Sequence, residues 1–88
     1  MKIVVGAVIQ NRNITENTED NFSAKYKGKL IEITTDHGFG DPMYKHLKRF
    51  SIDVIDIDSG WKDVESYEDL HTMHDAIRSA LKGACLIS

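Results

Sequence analysis

Three carboxylates and one imidazole at two predicted strand ends are of the types that bind divalent metal ions. Asp36 and His37 end one predicted strand, and Asp56 and Asp58 end the next. In open α/β folds, ligands bind beyond the carboxyl ends of parallel strands, so these side chains would meet at one rim. Carboxylate oxygens hold divalent cations such as Mg²⁺, and the cation in turn holds a phosphate. This alternative predicts a metal- or nucleotide-phosphate-binding enzyme or sensor using Asp36, His37, Asp56 and Asp58.

The same aspartates also have a structural interpretation. Asp is common in turns because its carboxylate accepts hydrogen bonds from nearby backbone N–H groups, and Asp58-Ser59-Gly60 has the composition of a turn. The carboxylates would then end strands and need no metal. We favour this interpretation, which predicts no cofactor.

The strongest charge pattern lies between Ser51 and Asp69, where seven acids face Lys62 alone. Between Lys25 and Arg49 the balance reverses, with six bases and three acids. Such a separation of charge orients an approaching partner. Tryptophan is enriched among interface anchors, and Trp61 lies inside the acidic segment. We therefore expect a protein partner to bind residues 53–69, through Asp53, Asp56, Asp58, Trp61, Asp63 and Glu65.

The whole chain carries 11 bases and 14 acids, a net charge of −3. An acidic balance disfavours binding to nucleic-acid phosphates or to an anionic membrane surface. No nucleophile and base stand out as a pair, because Cys85 lies in an apolar segment of the type that buries inert thiols. His71 and His74 lie three residues apart with no evident third metal ligand. These features favour a small accessory or regulatory protein over an enzyme.

The elements that would position these residues follow from apolar runs and turn residues. Strands are predicted at residues 2–10, 29–35, 52–57 and 84–87. Helices are predicted from Thr15 to about Tyr26, from Asp41-Pro42 to Phe50, and from Tyr67 to Lys82 after a capping box at Ser66. This order predicts an α/β fold of about four mainly parallel strands with helices between them.

The polar, Asn-rich segment 11–28 leaves an alternative open. Its helical apolar face would be thin, and a loop fits nearly as well. The rival fold is an α+β sandwich in which this segment joins an antiparallel strand pair.

The length of 88 residues predicts a single compact domain, residues 1–88. Secreted domains of this size usually contain several cysteines, so the single Cys85 favours a reducing, cytoplasmic location. No run approaches the ~20 apolar residues that cross a bilayer. A predicted edge strand ending at Ile87 would favour a homodimer, because exposed edges are often covered by pairing.

Overall fold

A computed structural model describes residues 9–36 and 47–87 of the chain. Within these residues, a short 3₁₀ turn, Asn11–Asn13, precedes five strands and one helix. The strands are β1 (Ile14–Asn17), β2 (Asn21–Tyr26), β3 (Lys29–Asp36), β4 (Lys48–Asp56) and β5 (Lys62–Leu70), and the helix is α1 (Met73–Gly83).

The five strands form one sheet in the order β1-β2-β3-β4-β5, and every neighbouring pair is antiparallel. The prediction of an α/β fold with mainly parallel strands is therefore wrong. A parallel pair needs a crossover of a dozen or more residues, whereas two residues join β2 to β3 and five join β4 to β5. The rival fold correctly included an antiparallel strand pair, but the described residues are mostly β with one C-terminal helix.

The helix predicted from Thr15 to Tyr26 is also wrong, because these residues form β1, a turn and β2. In β2 the buried residues are Phe22 and Ala24, while Ser23 and Lys25 alternate with them on the other side. This period of two is the pattern of a strand with one buried face. Thr18 closes the turn before β2, where its Oγ1 accepts the N–H of Asn21 at 2.9 Å.

Two tight turns form the β2–β3 and β4–β5 hairpins. Between β2 and β3, Lys27 (φ 50°) and Gly28 (φ 76°) are both left-handed, as the favoured two-residue hairpin turn requires. Between β4 and β5, Gly60 is left-handed at φ 77°. The predicted turn at Asp58-Ser59-Gly60 is therefore confirmed.

The core lies between one face of the sheet and α1. Strand β3 contributes Ile31 and Ile33, which confirms the strand predicted at residues 29–35. Phe50, predicted to end a helix, instead begins the buried row of β4 with Ile52 and Val54. Among the described residues, the core comprises Ile9, Phe22, Ala24, Ile31, Ile33, Phe50, Ile52, Val54, Met73, Ala76, Ile77, Ala80 and Leu81.

Helix α1 begins six residues later than predicted. Thr72 is its N-cap, and Thr72 Oγ1 accepts the N–H of Asp75 at 3.3 Å. The predicted capping box at Ser66 lies within β5, which the sequence prediction missed. Helix-facing positions in β5 include polar Ser66 and Glu68, so the alternation expected of a strand is weak there.

The strand predicted at residues 84–87 is wrong, because the chain turns there after α1. Cys85 is exposed at φ 59° rather than buried in a strand. The predicted first strand, apart from its end at Ile9 and Gln10, lies outside the described residues, as does most of the helix predicted after Asp41-Pro42. Among the described helices, none has the length and apolar character needed to cross a bilayer.

Candidate functional site

The sheet face opposite α1 carries most of the polar side chains of β2 to β5, and we call it the open face. In β3 and β4 the buried residues alternate with Glu32, Ser51 and Asp53. Side chains on successive residues of a strand point to opposite faces. The helix covers the apolar face, so these polar residues lie on the open face.

Three carboxylates form a row across the open face, which we call the acidic row. Glu32 of β3 lies directly opposite Asp53 of β4, and Asp53 lies directly opposite Glu65 of β5. Residues directly opposite in an antiparallel pair have Cβ atoms about 4.5–5.5 Å apart, and like charges at such positions destabilise a sheet. The acidic row therefore brings together two residues from the predicted binding set, Asp53 and Glu65.

One cation serves the acidic row within the described parts of the chain. Lys62 Nζ lies 3.8 Å from Asp53 Oδ1 and 3.7 Å from Glu65 Oε1. Glu32 is exposed, and its carboxylate makes no ion pair or hydrogen bond with any described residue. The row therefore holds three carboxylates against a single half-exposed lysine.

Large apolar side chains are exposed beside the acidic row. Tyr67 is 72% exposed and lies opposite Ser51, one row along from Asp53 and Glu65 on the same face. Trp61 is 76% exposed and Ile57 49% exposed in the β4–β5 hairpin. Most of the Trp61 surface therefore faces solvent rather than the core.

Two of the other predicted acids, Asp56 and Asp63, belong to a second group, the Lys29 cluster, which they form with Lys29. Lys29 Nζ lies 2.5 Å from Asp63 Oδ2 and 4.0 Å from Asp56 Oδ2. The hydrogen bond with Asp63 raises the pKa of Lys29 above its ordinary value of 10.5, and the charge of Asp56 adds to this effect. In this cluster the acids are paired with a cation.

Asp56 also holds the β4–β5 turn. Its Oδ2 accepts the Ser59 hydroxyl at 2.9 Å, and its Oδ1 accepts the N–H of Asp58 at 3.3 Å. The Ser59 hydrogen bond is the main cause that lowers the pKa of Asp56 below its ordinary value of 3.8, followed by the Asp58 N–H and the charge of Lys29. The Asp58 side chain lies at the exposed hairpin tip. The structural interpretation of these aspartates accounts for every contact of the Asp56 carboxylate.

The predicted metal rim depended on parallel strands, and the antiparallel register separates its members. Asp36 pairs with Arg49 at one end of the β3–β4 ladder, and Asp56 pairs with Lys29 at the other. At about 3.4 Å per strand residue, the two positions are roughly 24 Å apart. His37 lies outside the described residues. Within residues 9–36 and 47–87, no three His, Cys, Asp or Glu side chains are grouped to hold a metal ion.

His71 and His74 flank the start of α1. The Nε2 atom of His74 is buried and has no hydrogen-bond partner, although its side chain as a whole is only partly buried. With no third ligand among the described residues, the two histidines form no metal site there.

Sequence reasoning missed Glu32 and Tyr67 as members of the candidate site. Glu32 lies in the basic part of the sequence, and only the register of β3 on β4 places it beside Asp53. Its signal was the alternation of Ile31, Glu32 and Ile33, which assigns Glu32 to the face opposite the core. Tyr67 was assigned to a helix because β5 was not recognised.

No protein-family model, curated protein or solved structure matches this chain.

Proposed function

We propose that this chain is a small accessory or regulatory protein that binds a protein partner through the open face of its sheet. The observation that carries the proposal is the acidic row of Glu32, Asp53 and Glu65. Like charges placed directly opposite each other lower the stability of a sheet by a few tenths of a kcal/mol per pair. A partner that supplies positive charge would turn this unfavourable arrangement into a favourable one.

The partner chemistry follows from how charge is distributed over the open face. The face also carries bases at its margins, and Arg49 pairs with Asp69 at 3.2 Å. Acids and bases on the face are close to balanced: Glu32, Asp53, Glu65 and Asp69 against Lys25, Arg49 and Lys62. The open face therefore fits a partner that inserts one or two lysine or arginine side chains into the acidic row, rather than a partner with a large basic surface.

Exposed aromatic residues supply the apolar part of such an interface. Tyr67 lies next to the acidic row on the same face, and Trp61 projects from the adjoining hairpin. Tyrosine and tryptophan are the residue types that contribute most to binding when an interface buries them. An arginine that pairs with Glu65 would also be close enough to stack on the Tyr67 ring.

A photo-crosslinking amino acid at position 67 tests the proposal in the native host. One dominant protein is expected to crosslink at position 67 and not at position 17, an exposed asparagine on β1. The double variant Glu32→Lys with Glu65→Lys should reduce this product at least about tenfold, because it repels a basic partner.

The matched control is Glu16→Lys with Glu19→Lys, which changes the net charge equally at exposed sites on β1 and the following turn. This control should leave the crosslinked product unchanged. Equal crosslinking at positions 67 and 17, or equal loss in both double variants, would contradict binding by the open face.

A further inference from the structure

A groove of about 550 Å³ lies between β5 and α1, away from the open face. Its lining is Leu70, Asp75, Arg78, Ser79, Lys82 and Gly83. The Ser79 hydroxyl donates a hydrogen bond to Glu68 Oε2, and this bond ties the helix to the strand beside the groove.

The groove contains two cations without acidic partners in the described chain. Arg78 and Lys82 are four residues apart on α1, where like charges repel across one helical turn. Neither makes an ion pair with a described residue, whereas Lys29, Arg49 and Lys62 each do. The lining also contains one acid, Asp75, so the groove keeps a net positive charge that favours an anionic group.

The groove runs beside a sheet edge. Strand β5 pairs with β4 on one side, and among the residues that the structure describes no strand pairs with its other side. In an antiparallel pair, alternate residues of an edge strand direct their N–H and C=O groups away from the partner strand. An extended peptide can hydrogen-bond to such an edge and place alternate side chains on opposite faces of the sheet.

The charges around this edge specify which peptide fits. Side chains on the helix side of an added strand would meet Arg78 and Lys82, which favours acidic residues there. Side chains on the open face would lie beside Glu65 and Asp69, which favours basic residues there. A second copy of β5 is a poor match, because this strand has four acids and one lysine.

We propose that the β5 edge and the β5–α1 groove bind an extended segment of a protein partner whose acidic and basic residues alternate. This proposal shares with the proposed function the assumption of a protein partner and the two open-face acids Glu65 and Asp69, and it adds the β5 edge and the β5–α1 groove. The added segment becomes a sixth strand next to β5. Its acidic side chains lie in the groove against Arg78 and Lys82, and its basic side chains lie beside Glu65 and Asp69.

A displayed library of random nine-residue peptides, selected on the purified full chain, provides the probe. Enriched peptides are expected to carry Asp or Glu at every second position and Lys or Arg between them. Amide hydrogen exchange in β5 should slow when an enriched peptide binds, because its outward N–H groups become hydrogen-bonded. The variant Arg78→Glu with Lys82→Glu should weaken binding at least about tenfold.

The matched control is Arg12→Glu with Lys25→Glu, which reverses two exposed basic residues far from β5 and should leave peptide affinity unchanged. No enrichment, enriched peptides without alternation, or equal affinity for the groove variant and wild type would overturn the proposal. The library needs no natural partner, so its outcome is separable from that of crosslinking at position 67. If peptides bind but crosslinking at position 67 is not specific, the groove proposal is supported and the proposed binding by the open face is contradicted.

Discussion

Two acidic regions of this chain differ in how their carboxylates are paired. In the Lys29 cluster, Asp56 and Asp63 share a lysine, and Asp56 also accepts hydrogen bonds from Ser59 and Asp58. In the acidic row, Glu32, Asp53 and Glu65 lie opposite one another across three strands, and Glu32 has no partner among the described residues. The two regions lie within a few residues of each other in β4 and β5.

The difference separates acids that serve the fold from acids available to a partner. Carboxylates of the Lys29 cluster hold a hairpin, because their hydrogen bonds and ion pair are made within the chain. Carboxylates of the acidic row oppose the pairing of the strands that carry them. We therefore expect substitutions in the first region to lower stability and substitutions in the second to raise it.

Replacing Lys29 with methionine should produce the largest loss of stability among the charge changes considered. The change leaves Asp56 and Asp63 close together without their shared cation. The melting temperature, followed by circular dichroism, should fall by several degrees. Lys25→Met, at an exposed position on β2, is the control and should change the melting temperature little. Equal effects of the two substitutions would mean that the Lys29 cluster does not hold the fold.

The stabilising effect of Asp56 should depend on pH in one direction. The folded-state pKa of Asp56 is lowered, so its contribution is present above pH 3.8 and is lost as pH falls through the folded pKa. In urea unfolding, wild type should therefore exceed Asp56→Asn in stability at neutral pH, and the gap should narrow below pH 3.8. Ser59→Ala removes the main cause of the lowered Asp56 pKa and should therefore reduce the change in unfolding free energy with pH. A gap that is constant with pH would contradict this account.

At alkaline pH, Lys29 determines whether the stability of the fold rises or falls with pH. Its folded-state pKa is raised, so its contribution is present below pH 10.5 and is lost as pH rises through the folded pKa. In urea unfolding, the stability difference between wild type and Lys29→Met should therefore narrow above pH 10.5. A widening difference would mean that Asp63 and Asp56 do not favour the charged lysine.

Gly60→Ala should cost about 1 kcal/mol of unfolding free energy through the backbone alone. Gly60 has φ 77°, and an added Cβ would meet no atom within 4 Å, so the loss comes from the left-handed conformation rather than from a clash. Urea unfolding measures this loss. Crosslinking at position 67 should persist in the folded fraction, because the acidic row lies outside the turn. A loss of crosslinking equal to that of the acidic-row variants would show that the two regions are not independent.

Parts of the fold could be predicted from sequence where the local signal agreed with the final structure. Strand β3 was predicted from its β-branched and apolar run, and the turn at Asp58-Ser59-Gly60 from its composition. All of α1 except its last residue lies within the helix predicted from the spacing of Met73, Ile77, Ala80 and Leu81, although that prediction began six residues too early.

The other secondary-structure predictions were wrong where the local sequence preference and the tertiary strand pairing disagree. Strand β5 has polar residues at two helix-facing positions, and Glu68 accepts a hydrogen bond there from the Ser79 hydroxyl. Its strand conformation depends on pairing with β4, which no local pattern displays. Missing β5 removed the evidence for a meander and left the parallel fold as the preferred prediction.

Only part of the candidate site could be predicted from the sequence, because the rest depends on the register of the strands. Charge density pointed to Asp53, Glu65 and Trp61, but it also grouped them with Asp56 and Asp63, which are engaged by Lys29. Density along the chain does not distinguish the two faces of a sheet. Register supplies that distinction, and register also added Glu32 from the basic part of the sequence.

The most direct test of the central claim is to measure stability and partner crosslinking in the same variant, Glu32→Lys. A lysine opposite Asp53 replaces a like-charge pair with an opposite pair, so unfolding free energy should rise by about 0.5 kcal/mol. Crosslinking at position 67 should fall at least about tenfold, because the partner's basic side chain is repelled. Opposite changes in the two quantities are the predicted result. A variant that is less stable than wild type, or one that crosslinks equally well, would contradict the claim that the acidic row opposes folding and serves a partner.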